Sequence, residues 1–302
     1  MRSSGAGPAV GAALVLAFGV ACVSTAAVLI RLAQAEVSSL AIAAYRMAFA
    51  AAILVPIALA KGGLGRLSGG ERRRVVAAGG VLAAHFALWI ASLEHTSVAS
   101  SVVLVTTNPL FVALAEPVVF RTRLRGGLVA GILVAVLGAA VVGLGDAGHG
   151  PHALGGDGLA LAGAMAAAAY FLIGRSVRAR VGLLPYVTRV YATAAALLVA
   201  AALATGEAMV GYSAETWGTL VLLAAVPQVL GHSSFNWALR HLSASLVSGA
   251  VVAEALGSTL LAWWLLGEAP PATALGGGLL IVAGLALAVR DETRRVASAA
   301  RG

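Results

Sequence analysis

Charge is what this sequence has least of. Only 11% of its 302 residues are charged, against about 25% in a soluble domain. Blocks such as Val75 to Leu93 and Trp217 to Leu239 contain no charge at all. Hydrophobic residues make up 60% of the chain, and the mean hydropathy is +0.96. A soluble globular domain is excluded, and apolar runs of about 20 residues match the thickness of a bilayer core. Cysteine occurs once, at Cys22 inside an apolar block, so neither a disulfide framework nor a cysteine metal site is available. Lysine also occurs once, at Lys61. No Gly-x4-Gly-Lys-Ser/Thr loop is present to bind ATP phosphates. The acid-rich metal motif of prenyl transfer and a sizeable soluble module are missing too, which argues against a membrane-embedded enzyme and against a sensor. "GHSSF" sets His232 beside Ser233 and Ser234, but neighbours on a helix point in different directions, so no activated serine follows.

The net charge of +8 invites a nucleic-acid reading. The basic residues, however, sit at the ends of apolar blocks, where they report membrane orientation first. Helices are predicted at about 9–30, 38–60, 75–93, 97–119, 126–145, 157–174, 184–204, 216–236, 244–266 and 272–289, joined by short connections. The first is read as a membrane span rather than a signal peptide, because it is long enough to cross and more spans follow. Seventeen of the 20 Lys and Arg fall in alternate connections and at the two termini, and only Arg31 falls on the opposite side. That bias places both termini in the cytoplasm of a multi-pass inner-membrane protein. The chain also repeats. "LEHTS" (Leu93 to Ser97) and "LRHLS" (Leu239 to Ser243) are 146 residues apart, as are Gly131 and Gly277, and Gly138 and Gly284. "AAAILV" (Ala50 to Val55) and "AAALLV" (Ala194 to Val199) are 144 apart. Each copy, 1–145 and 146–302, holds five spans, so the second is inverted. The expected architecture is an all-α integral membrane protein of ten transmembrane helices in two inverted five-helix repeats, which is a transporter architecture.

Two stretches carry a family likeness. "GHSSFNWALRHLSASLVSGAVVAEALGSTLLAWWLLGE" (Gly231 to Glu268) and "LEHTSVASSVVLVTTNPLFVAL" (Leu93 to Leu114) resemble helices eight and nine, and three and four, of EamA-like proteins in the drug/metabolite transporter superfamily. Two departures stand out. The family's Glu-Pro step reads Glu254-Ala255, implying a softened kink, and the first-half Leu-Gly-Glu reads Phe120-Arg121-Thr122. The resemblance implies export of small metabolites, often amino acids, commonly driven by protons. Exchange or import of small organic anions, including phosphorylated or nucleotide-linked compounds, is the alternative within transport.

Candidate residues follow from position. Glu254, near the middle of helix nine, is the deepest carboxylate and the candidate proton carrier, since intramembrane ionisable groups face a cavity or a partner. Arg46 lies eight residues into helix two, roughly 12 Å deep at 1.5 Å per residue. It either holds a substrate carboxylate, pairs with Glu254, or snorkels to the surface. Gln228, His232 and Asn236 share one face of helix eight, with Trp237 following. His85, Trp89 and Ser92 form a comparable face on helix three. Arg46, His85, Trp89, Gln228, His232, Asn236 and Trp237 are therefore the candidate substrate-binding set. Glycines on helices five and ten read as close-packing faces. Expected partners are a small-molecule substrate, protons and the lipid bilayer. No nucleic acid, cofactor or metal is called for, and a homodimer is left open.

Overall fold

In the computed structural model the described residues are 7–120, 126–146, 152–242 and 244–299, and every regular element among them is helical. The first half contains α1 (Gly7–Val23), α2 (Ala26–Ala33), α3 (Ser39–Ala60), α4 (Gly69–Ser92), α5 (Val98–Val105), α6 (Asn108–Phe120) and α7 (Gly126–Asp146). The second contains α8 (Ala153–Arg178), α9 (Leu183–Ala204), α10 (Ala214–Leu223), a π-helical segment (Ala224–His232), α11 (Ser233–Ala238), α12 (Ala244–Val251), α13 (Ala253–Leu266) and α14 (Ala272–Ala299). Among the described residues, eight helical stretches are long and apolar enough to cross a bilayer, from Leu14–Ala33 through Val247–Leu266, and Ala272–Gly284 is a shorter apolar one. α7 and α14 stand where the sequence predicts spans five and ten.

The helix starts have local causes. Ser38, Ser97 and Ser213 each accept a backbone N–H three residues on, satisfying a donor the helix cannot. Helix three begins at Gly69, earlier than the predicted 75, because Ser68 and Glu71 form a reciprocal capping box that carries Arg72 to Arg74 into the helix. Helix eight is irregular for a different reason. Pro227 has no N–H to give the ladder, and the chain from Ala224 to His232 follows π spacing instead.

Packing follows the repeat. α3 lies on α9, and α7 on α14. α4 packs on α8, while α1 packs on the π segment and α11, so the same contact recurs with the halves exchanged. α5 meets α13 and α6 meets α12, which makes those two broken rods antiparallel. The α7–α14 seam is reciprocal as well. A Cβ on Gly138 would lie 2.6 Å from the Gly277 carbonyl, and one on Gly284 would collide with Gly131 and Ala135. Small residues here let two backbones touch.

Two arginines tie the ends of the bundle. Arg31, the lone outlier of the charge bias, donates to the carbonyls of Leu93 and Thr96. Arg175 donates to those of Leu239 and Leu242, at 3.0 and 2.6 Å. The acceptors are the same positions 146 residues apart. Arg31 also lies 3.6 Å from Glu268, whose other oxygen accepts the Val98 N–H at 2.6 Å. Arg178, one of the seventeen basic residues of the alternate connections and termini, is buried and donates to the Asn236 and Val181 carbonyls. Arg189 reaches out of its helix to the carbonyls of Leu64 and Gly65.

Candidate functional site

Arg46 does not snorkel. It is wholly buried on α3, and its Nε donates to Gln228 Oε1 at 2.9 Å. The guanidinium carbon stands 4.0 Å from the Phe86 ring centroid and 5.8 Å from that of Trp89, where the negative ring faces attract a cation. Its Nη1 and Nη2 have no hydrogen-bond partner among the described residues. Trp89 Nε1 and Gln228 Nε2, also buried, share that condition. Leaving such groups unpaired costs about 1–3 kcal/mol each, and more for a charged one. Four donor atoms around one buried cation are therefore a marked local deficit of acceptors.

The helix-eight stripe faces inward but divides among three partners. Gln228 meets Arg46 of α3. His232 packs edge-on to Phe86 at 5.3 Å and lies 6.4 Å from His85, both on α4. Asn236 accepts from Tyr170 of α8 at 2.8 Å, and its amide donates back to the His232 carbonyl. His85 donates from Nδ1 to Gly163 O at 2.9 Å, which fixes its tautomer.

His85, Trp89, Tyr170 and His232 line a cavity together with Thr106, Asn108, Val251 and Glu254, while Arg46, Gln228 and Asn236 are not part of its wall. Its free space is about 20 Å³, room for roughly one water. Glu254 is buried against it. Helix nine does break beside it despite the missing proline. α12 stops at Val251, and the amides of Val252 and Ala255 bond three residues back instead of four. The expected softening of the kink is thus a short tightened turn.

Of the candidate residues, the structure brings Arg46, His85, Trp89, Gln228, His232 and Glu254 together. Arg46 and Glu254 do not form an ion pair, in contrast to Arg31 and Glu268. Asn236 is spent on Tyr170 and on backbone. Trp237 stands apart, its ring 4.5 Å from that of His241. Ser92 is engaged by Ser101 and the Trp89 carbonyl. Sequence reasoning missed Phe86, Thr106 and Asn108. The signal for Asn108 was there: a shift of 146 from Glu254 lands on it.

A bundle of apolar helices around a buried cavity that carries several polar side chains is the frame of a multi-pass membrane protein. The chain belongs to the EamA-like transporter family, whose model matches residues 10–144 and again 154–290, in keeping with the drug/metabolite transporter superfamily. Comparison with curated proteins gives no match. A solved structure, described simply as the crystal structure of a protein, is 23% identical with a TM-score of 0.71, covering 94% of this chain and 98% of its own. That likeness shows the fold.

Proposed function

We propose that this protein is a secondary active exporter of small metabolites, amino acids among them, in the bacterial inner membrane, driven by protons entering in exchange. Glu254 carries the proton; Arg46, His85, Trp89, Gln228 and His232 face the substrate. The chain crosses the membrane ten times with both termini in the cytoplasm, and its halves are inverted. The antiparallel packing of α5 on α13 and of α6 on α12, with the seventeen-to-one charge bias, supports that topology.

The observation that carries the reading is the buried, under-partnered Arg46 guanidinium close to a cavity that also holds a carboxylate. Such a site suits a substrate with an anionic and a cationic end. The coupling then follows from linkage. An ammonium at Glu254 competes with the proton for one carboxylate, and competition for one site yields exchange. A purely anionic substrate would instead travel with the proton that neutralises Glu254. The free Nη atoms of Arg46 also fit that second reading, uptake or exchange of small organic anions, and the sign of proton flux separates the two.

The test uses proteoliposomes with a pH-sensitive dye and a panel of amino acids and organic acids, comparing wild type with Glu254→Gln. Proton movement opposite to an amino acid, lost in the variant, is expected. Movement in the same direction as an organic acid selects the second reading. Flux that persists in Glu254→Gln removes Glu254 from the coupling.

A further inference from the structure

The cavity is built by two helix breaks rather than one. α5 covers Val98–Val105 and α12 covers Ala244–Val251, so both ends of the two short helices differ by the 146 residues that separate "LEHTS" from "LRHLS". Beyond α5 the chain turns at Thr106 and Thr107 before α6 begins at Asn108, and beyond α12 it turns at Val252 before α13. Glu254 follows its break as Asn108 follows the other. The two rods run antiparallel, which delivers both side chains to the same cavity from opposite strands of the frame. Asn108 is 3% exposed. Its amide nitrogen makes only a long 3.4 Å bond to Val105 O, and its Oδ1 has no partner among the described residues. A buried carboxamide oxygen left without a donor is costly, and helix breaking alone does not require it, because Pro109 already prevents an unbroken ladder.

We infer that Asn108 is the neutral counterpart of Glu254: a substrate-contacting residue whose oxygen accepts a hydrogen bond from the ammonium or hydroxyl of the transported molecule. One break thus carries the exchangeable proton, while the other recognises the same end of the substrate without charge. Around both lie His85, Trp89, His232 and Tyr170, so a carboxylate moved from one break to the other stays in the same polar surroundings. This rests on the reading of Glu254 as proton carrier, and the experiment separates the two.

First, Asn108→Cys in a Cys22→Ala background is exposed to a small, water-soluble methanethiosulfonate reagent in membranes. Labelling is expected, because a substrate-contacting position must meet water once per cycle. An unlabelled cysteine in transport-competent protein makes Asn108 a packing residue and overturns the inference. Second, substrate-driven proton flux is compared in Glu254→Asn and in the exchanged pair Asn108→Glu with Glu254→Asn, using the panel amino acid most active in wild type. Glu254→Asn should lose flux about tenfold or more, and the pair should recover most of it. Loss without recovery, in protein that is folded by thermal melt, overturns the equivalence of the two breaks. Flux retained by Glu254→Asn overturns the proton reading of Glu254 instead, and the labelling result then decides Asn108 by itself.

Discussion

Arg31 and Arg175 perform one task twice, each closing two carbonyls at a helix end 146 residues from its twin's. Arg46 has no twin: a shift of 144 to 146 meets Val190, Tyr191 and Ala192. The same division runs through the molecule. The α7–α14 seam and the short helices α5 and α12 are duplicated, whereas the groups around the cavity differ between halves. Frame positions stay alike because each must fit the other's copy across a shared axis. Divergent cavity positions are what the proposed binding of one substrate with two unlike ends requires.

The sharpest way to break this comparison is at Arg46. Arg46→Met keeps length and apolar packing but removes the cation. Transport should disappear while the melting temperature holds or rises, because a poorly paired buried charge is a cost that apolar packing relieves. A large loss of stability would put Arg46 in the frame. Next come the glycines. Gly138→Ala and Gly284→Ala should each cost about 1–3 kcal/mol by overpacking and should match one another, as read from thermal melts in detergent. Unequal losses would end the reciprocity of the seam.

The arginine ties come third. Arg175→Ala frees two carbonyls, worth about 1–2 kcal/mol. Arg31→Ala should exceed it by roughly 0.2–1 kcal/mol, the worth of a surface ion pair, because Arg31 alone is shown beside a carboxylate, Glu268. Equal losses would make that pair energetically silent. The smallest effect lies in the loop after α9. Hydrogen bonds from Ser213 hold the Glu36 carboxyl below the usual carboxylate range. A depressed folded-state value means that this contact stabilises above the unfolded carboxylate range and is lost as the pH falls through the folded one. The difference in melting temperature between wild type and Glu36→Gln should therefore shrink between about pH 6 and pH 3.

Much of the frame was legible in the sequence. Apolar block length marked the helices, whereas the serines that cap them were recognised only in the structure. The 146-residue shift related the glycines that meet in the α7–α14 seam, but it gave no sign that Arg31 and Arg175 close the two repeated helix ends. Arg178 misled, because a cation at a helix end normally meets water; here it turns inward to carbonyls of α11 and its own loop. The π segment was hinted at by Pro227, but its effect on the stripe was not, since face geometry assumes regular α spacing. Asn108 passed unnoticed because a lone asparagine before a proline reads as a turn.

Composition and periodicity by themselves determined that this chain lives in a membrane, folds as helices and repeats itself, because burial in lipid demands apolar length and internal hydrogen bonding from each segment separately. Which polar groups meet was decided only by the tertiary structure. Arg46 and Gln228 are 182 residues apart, and Asn108 and Glu254 reach one cavity across 146. No local pattern encodes such meetings, since they depend on how whole helices cross and where their ladders break.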